Sequence, residues 1–167
     1  MALIILGIDP GLATVGYGVI EKFGNNSTKV IDYGIVSTSK NDTLPTRLKQ
    51  IYASISALIE KYKPDAVAME ELFFQNNQKT AIAVAEARGV SLLACIHNLD
   101  QLFEYTPLQI KQALTGQGRA EKQQVQYMVK AILNLKAIPK PDDAADALAV
   151  ALCHSQTNTF LSGTNIR

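Results

Sequence analysis

The sequence predicts an α/β domain built on a mixed five-stranded sheet flanked by helices. Apolar runs at residues 3–8, 15–20 and 29–37 are joined by short polar turns, a pattern typical of three antiparallel strands. A helical-period segment at 46–62 then leads to a short apolar run at 66–69. A helix that crosses to another buried strand favours parallel pairing, so the sheet is expected to be mixed.

The second half of the chain adds one more strand and mostly helices. Residues 80–98 predict a helix that is apolar on nearly all sides, so something besides its own sheet must cover it, and a second subunit is a natural cover. Residues 101–105 predict the fifth strand. Three further helices are expected at 107–114, 121–133 and 143–156. We expect one domain over residues 1–156 and a flexible polar tail over 157–167.

Composition favours a packed domain that does not cross a membrane. Hydrophobic residues make up 47% of the 167 residues and charged residues 19%. The apolar N-terminus is too short for a membrane span and is interrupted by Asp9, and it lacks the preceding positive charge of a signal peptide. A cytoplasmic location is therefore expected.

The two cysteines, Cys95 and Cys153, lie in apolar helical runs, so we interpret them as buried thiols in a reducing compartment. His97 and His154 lie near them in sequence, which leaves a Cys/His zinc site as an alternative. The paired short spacings of zinc motifs are not present to support it.

Charge is distributed unevenly along the chain. The segment 107–141 carries six basic residues and one acid, a net +5, whereas the whole chain is only +1. The remainder is therefore −4. A basic segment beside an acidic remainder suits a protein that binds a polyanion in one place and metal ions in another. An ordinary solvated surface is the alternative.

Four acids occupy positions from which they could meet. Asp9 ends the first strand directly before Pro10-Gly11, and Glu70 ends the predicted parallel strand. Asp143 and Asp146 are three residues apart and share a face of an alanine-rich helix that can lie close to the sheet. The alternatives are an Asx turn at Asp9 and helix-dipole stabilisation by the acids of the first helical turn.

Four acids brought together repel one another unless cations neutralise them. Oxygen-only ligation favours Mg²⁺ or Mn²⁺. Two such ions about 3.5–4 Å apart suit in-line phosphoryl transfer.

Five motifs resemble the RuvC family of Holliday-junction resolvases: GIDPGLATVGYGVI, AMEELFF, ARGV, the AEK of residues 120–122, and DAADALA. They occur in the family's order between residue 3 and about residue 156. The resemblance implies a ribonuclease-H-like fold and a homodimeric, Mg²⁺-dependent endonuclease with two ions per site. Such an enzyme nicks four-way junction DNA symmetrically, leaving 5′-phosphate and 3′-hydroxyl ends. It also implies RuvA–RuvB as partners, and we expect dimerisation through helix 80–98.

The resemblance assigns roles to individual residues. The metal-binding and catalytic acids are Asp9, Glu70, Asp143 and Asp146. Lys111 and Lys122 match basic residues near the scissile phosphate, and Phe73 matches an aromatic side chain that stacks on bases. The chain departs from the family pattern at three places, where it carries an added acid or base: Glu71, Arg119 and Asp142. Arg119 is interpreted as an extra phosphate contact.

Two other functions remain open from the sequence. Another ribonuclease-H-like nuclease, such as an RNA-strand hydrolase, would need the same acids. A nucleotide-binding module of the actin/Hsp70 type also opens with an apolar strand, Asp and a glycine-containing hairpin. That class binds ATP between two such domains, and this chain has room for one.

Overall fold

The computed structural model describes residues 2–24, 27–72, 78–99 and 101–157. Within these residues the strands are β1 (Ala2–Asp9), β2 (Thr14–Phe23), β3 (Ser27–Ser37), β4 (Ala66–Glu70) and β5 (Leu102–Tyr105). The helices are α1 (Leu44–Tyr62), α2 (Gln78–Asn98), α3 (Pro107–Thr115), α4 (Lys122–Ile132) and α5 (Asp142–Gln156). Each predicted element is present, with ends that differ by no more than three residues.

The sheet has the strand order β3-β2-β1-β4-β5. β1 pairs antiparallel with β2 and parallel with β4, and β4 pairs parallel with β5. The prediction of a mixed five-stranded sheet is therefore confirmed. Because Ile8 lies opposite Met69, the next residues of these parallel strands, Asp9 and Glu70, both reach the same edge of the sheet.

Helices cover both faces of the sheet. α3, α4 and α5 enclose one apolar core, and α1 and α2 enclose the other. α5 lies so close to β1 and β2 that glycines are needed beneath it. A Cβ atom at Gly16 would lie 2.0 Å from the carbonyl oxygen of Asp143, and one at Gly7 would lie 2.1 Å from that of Ala147. Backbone contacts backbone at these points, which fixes the first turn of α5 beside the end of β1.

The two cysteines are buried, as expected, but on opposite faces of the sheet. Cys95 packs in the core beneath α1 and α2, and Cys153 packs in the core beneath α5. Burial raises the pKa of each thiol to about 12, so both stay protonated. The sheet separates them, and this excludes a zinc ion shared by both.

No helix in the described part of the chain is long and apolar enough to span a bilayer. Thr157 closes α5, since its backbone N–H donates to the carbonyl of Cys153. The flexible tail expected over residues 157–167 stays a prediction, because residues 158–167 lie outside those described.

One buried histidine gives the fold a predicted acid sensitivity. His154 is 2% exposed, and its Nδ1 lies 2.7 Å from the Tyr105 hydroxyl. Burial, followed by the charge of Lys22, lowers the pKa of His154 to about 4. The folded protein holds this ring neutral. The fold is therefore fully stable with respect to His154 above pH 6.5, near the unfolded pKa of histidine. As pH falls towards 4, stability is lost because the unfolded chain binds a proton that the folded protein does not.

Between pH 6.5 and 4, we expect the free energy of unfolding measured in urea to fall by about 2–3 kcal/mol because of His154. In His154→Gln this part of the pH dependence should be absent. His97→Gln is the matched control, because His97 is exposed and bonds only to the Tyr52 hydroxyl among the described residues. Equal pH profiles for the two variants would contradict the assignment.

Candidate active site

Asp9 and Glu70 are brought together by strand pairing. β1 and β4 are neighbours, and each carries its acid as its last residue. The two side chains lie close enough for each to act on the pKa of the other. Two carboxyl groups held this close do not both ionise freely.

The electrostatics show that the other two acids lie near Asp9. Burial, followed by the charges of Glu70, Asp146 and Asp143 in that order of effect, raises the pKa of Asp9 to about 8. Burial and then the charge of Asp146 raise the pKa of Glu70 to about 6. The site thus holds more negative charge than its own cations neutralise.

Lys122 is the nearest such cation. Its Nζ donates to Oδ2 of Asp146 at 2.8 Å and lies 3.7 Å from Oδ2 of Asp142. Partial burial opposes the charged form, but the hydrogen bond to Asp146 and the surrounding acids raise the pKa of Lys122. Lys122 is the first residue of α4, which begins with a capping box between Glu121 and Gln124. That cap fixes where the lysine stem leaves the backbone.

A cavity of about 210 Å³ adjoins these groups. Its lining has two acids and two lysines among apolar side chains: Glu70, Pro107, Ile110, Lys111, Lys122, Val125, Asp146 and Ala149. Lys111 reaches it from α3, whose start is fixed by Pro107 and a capping box at Thr106. The charge of Lys111 lowers the pKa of Glu70, which shows that the lysine acts on the acid pair.

The remaining predicted residues are not all brought to this cavity. Phe73 lies outside the described residues, so its stacking role stays a prediction. Arg119 is exposed in the turn before α4 and forms no ion pair with any described residue. Glu71 is exposed, and its backbone N–H bonds to the Tyr105 carbonyl. Asp143 stands over Gly16, the partner of Asp9 in the β1–β2 register.

The donor set fits a hard divalent cation, but the side chains are not arranged around one. Among the described residues, no three Asp, Glu, His or Cys side chains surround a point that could hold an ion. Asp146 is instead bound to Lys122. Carboxylate oxygens with surplus negative charge suit Mg²⁺ or Mn²⁺. Ion binding therefore requires these side chains to rotate and Lys122 to leave Asp146.

The raised pKa of Asp9 predicts that this site destabilises the metal-free fold. Asp9 binds its proton more tightly in the folded protein than in the unfolded chain. The loss in free energy of unfolding caused by Asp9 is therefore small near pH 4 and grows until about pH 8. In the presence of a chelator, Asp9→Asn should raise the free energy of unfolding by at least about 1 kcal/mol at pH 8, or about 2–4 °C in Tm, and by less at pH 5. Urea unfolding at both pH values checks this, and a variant less stable than the parent at pH 8 would contradict it.

Two features of the site were not predicted from the sequence. The first is the glycines under α5, although Gly16 and Gly18 alternate in an apolar strand and so share one face. The second is Gln126. Its spacing from Lys122 and Lys130 predicts a solvent-facing position, yet it is only 7% exposed. Its amide lies near Asp142 at the start of α5, and its Nε2 is buried without a hydrogen-bond partner among the described residues.

Known proteins resemble this chain over nearly all its length. The family model described as "Crossover junction endodeoxyribonuclease RuvC" matches residues 5–154. A protein of that name from Alkaliphilus metalliredigens is 56% identical over 160 residues, which are 96% of this chain and 97% of the relative.

Solved structures agree. The Thermus thermophilus RuvC structure has a TM-score of 0.86 at 36% identity and covers 98% of both chains. The T. thermophilus RuvC in complex with Holliday junction substrate also has a TM-score of 0.86, at 37% identity, and covers 92% of this chain and 93% of its own. The expected ribonuclease-H-like fold is thereby confirmed. By the extent and identity of these matches, the chain belongs to the RuvC family of crossover junction endodeoxyribonucleases.

Proposed function

We propose that this nuclease cuts four-way DNA junctions by two symmetric nicks and leaves 5′-phosphate and 3′-hydroxyl ends. One observation carries the proposal: Asp9, Glu70 and Asp146 interact at a sheet edge, and Lys111 and Lys122 line the cavity beside them. Negative charge for metal ions and positive charge for a phosphodiester thus lie within one site. The T. thermophilus relative solved with a Holliday junction supports junction DNA as the substrate.

Family membership implies a dependence on divalent metal. In the proposal the ions are two Mg²⁺, replaceable by Mn²⁺, held by Asp9, Glu70, Asp143 and Asp146. When bound, they would supply charge that stabilises the developing phosphate negative charge and activates water. The protein contributes the rest. The strands and α5 hold the backbone positions of the acids close together, and Ile110 and Val125 give the cavity an apolar wall.

Lys111 and Lys122 bind the DNA phosphate in this proposal, with Arg119 as an additional contact from the exposed turn. We expect Lys111→Gln to weaken junction binding about uniformly across sequences and to reduce the slope of log Kd against log salt by about 1. Lys49→Gln, on α1, is the control. An unchanged salt slope in Lys111→Gln would show that this lysine does not bind phosphate. Phe73 is proposed to stack on a base, on the resemblance alone.

Dimerisation through α2 supplies the second nick. Three large apolar side chains of this helix are exposed in the single chain: Ile82 at 69%, Leu93 at 57% and Ile96 at 55%. A two-fold pair of such faces would bury them and set the distance between two active sites. Leu93→Glu should give a monomer by sedimentation that makes single, uncoordinated nicks. Leu108→Glu, at an equally exposed leucine of α3, should remain dimeric.

The proposal also covers what surrounds the enzyme. We propose one nuclease domain over residues 1–156 with a flexible tail over 157–167, a cytoplasmic location, and RuvA–RuvB as partners. The buried, protonated thiols are consistent with a reducing compartment.

A substrate panel tests the function. A synthetic four-way junction, a linear duplex of the same sequence and an RNA–DNA hybrid are incubated with the protein and Mg²⁺. We expect paired nicks in the junction only. Preferential cutting of the hybrid would favour an RNA-strand hydrolase of the same fold, and tight ATP binding without cutting would favour a nucleotide-binding module.

A further inference from the structure

The ammonium group of Lys122 lies between two carboxylates of α5. It donates to Oδ2 of Asp146 at 2.8 Å and lies 3.7 Å from Oδ2 of Asp142. The two acids are four residues apart, so they project from one face of the helix, one turn from each other. A shift of about 1 Å would bring Lys122 within hydrogen-bond distance of Asp142.

Asp142 is itself held in place without using the oxygen that faces Lys122. Lys140 donates to its other oxygen, Oδ1, at 2.8 Å. Asp142 is therefore a fixed anion with one oxygen directed at the Lys122 ammonium group.

The contact between Lys122 and Asp146 conflicts with the proposed metal site. An ammonium group and a divalent cation compete for the same carboxylate, so Lys122 must give up Asp146 before that acid can bind an ion. Without another acceptor, the lysine would lose its partner and move into solvent. Asp142 offers an acceptor that keeps the ammonium at the cavity wall, where a DNA phosphate would lie.

We propose that Asp142 is a positioning residue that takes Lys122 from Asp146 when Asp146 binds a divalent cation. Asp142 thereby lowers the cost of loading the metal and holds Lys122 ready for the phosphate. The inference rests on the proposed function, because it takes Asp146 to be a metal ligand.

Mn²⁺ binding without DNA directly tests this handover, by which we mean the transfer of the Lys122 hydrogen bond from Asp146 to Asp142. Free Mn²⁺ is measured by its electron paramagnetic resonance signal during titration of the protein. We expect Asp142→Asn to raise the Kd for Mn²⁺ about two- to fivefold, the range typical of exposed ion pairs. Lys122→Gln should lower it, because the competitor is gone. In the double variant Asp142→Asn, Lys122→Gln, the Kd should equal that of Lys122→Gln alone.

The double variant separates a handover from a general effect of charge. If Asp142 merely attracts cations, its substitution will raise the Kd equally with and without Lys122, and the proposal is overturned. Glu60→Gln removes one exposed acid of α1 and should leave the Kd unchanged. Asp142→Glu should restore at least half of the lost affinity.

Asp146→Asn distinguishes the failure of this inference from that of the proposed function. If it leaves Mn²⁺ binding unchanged, Asp146 is not a ligand, and both proposals fail together. If it weakens Mn²⁺ binding while the double variant shows no dependence on Lys122, only the handover is wrong.

Discussion

Asp9→Asn is expected to abolish junction cleavage while junction binding stays within about threefold, less than 1 kcal/mol, of the parent. The substitution keeps the shape of the side chain but removes one of the four carboxyl groups proposed to bind the metal. We expect a loss in rate of at least about a thousandfold, equal to about 4 kcal/mol of transition-state stabilisation. Single-turnover cleavage and gel-shift binding of the same labelled junction measure the two effects separately.

Asp65→Asn provides the matched control for Asp9→Asn. Asp65 directly precedes β4, so it lies at the end of this strand opposite to Glu70. Its carboxylate accepts a hydrogen bond from the backbone N–H of Ile4. Its substitution should leave the cleavage rate unchanged apart from any loss of fold stability. Retained cutting by Asp9→Asn, or loss of binding with retained cutting, would contradict a metal role for Asp9.

Gly16→Ala is expected to damage both the fold and the reaction. The added Cβ would lie 2.0 Å from the Asp143 carbonyl oxygen, so α5 or β2 must move. Forcing a methyl group into such a contact should cost about 3 kcal/mol. The movement displaces Asp143 and Asp146 from Asp9, and a misplacement of about 1 Å in a catalytic group reduces rates by about a hundredfold. Urea unfolding and single-turnover cleavage below the unfolding transition measure the two losses.

Gly89→Ala adds the same methyl group to α2 at a position where nothing lies within 4 Å of it in the single chain. It should leave the free energy of unfolding unchanged or raise it slightly, since alanine stabilises a helix relative to glycine. If Gly16→Ala proved as stable as Gly89→Ala and as active as the parent, close contact between α5 and the sheet would not be what positions the acids.

Much of the fold could be predicted because its signals are local. Apolar runs that end in Asp9 and Glu70 located the strand ends, and helical periodicity located α1 and α5 within two residues. The alanines of α5 indicated that this helix lies close to the sheet. The enzyme class was predicted from the amino-acid sequences of the motifs and their order in the chain, and family membership confirmed it.

Other features depend on contacts between distant parts of the chain. The 2.8 Å bond between Lys122 and Asp146 joins two helices that are separated by a loop, and no spacing rule predicts which acid a lysine will select. Gln126 was expected on the solvent side of α4 because periodicity assigns polar residues outward, but the neighbouring N-terminus of α5 covers it. The role of Arg119 stays a prediction, because this exposed side chain forms no ion pair with any described residue.

Anomalous diffraction from crystals grown with junction DNA and Mn²⁺ tests the central claim most directly. We expect Mn²⁺ peaks within bonding distance, about 2.0–2.3 Å, of oxygens from Asp9, Glu70 and Asp146, with Lys122 moved to Asp142 or to the DNA phosphate. Peaks elsewhere, with Lys122 still bonded to Asp146, would contradict it.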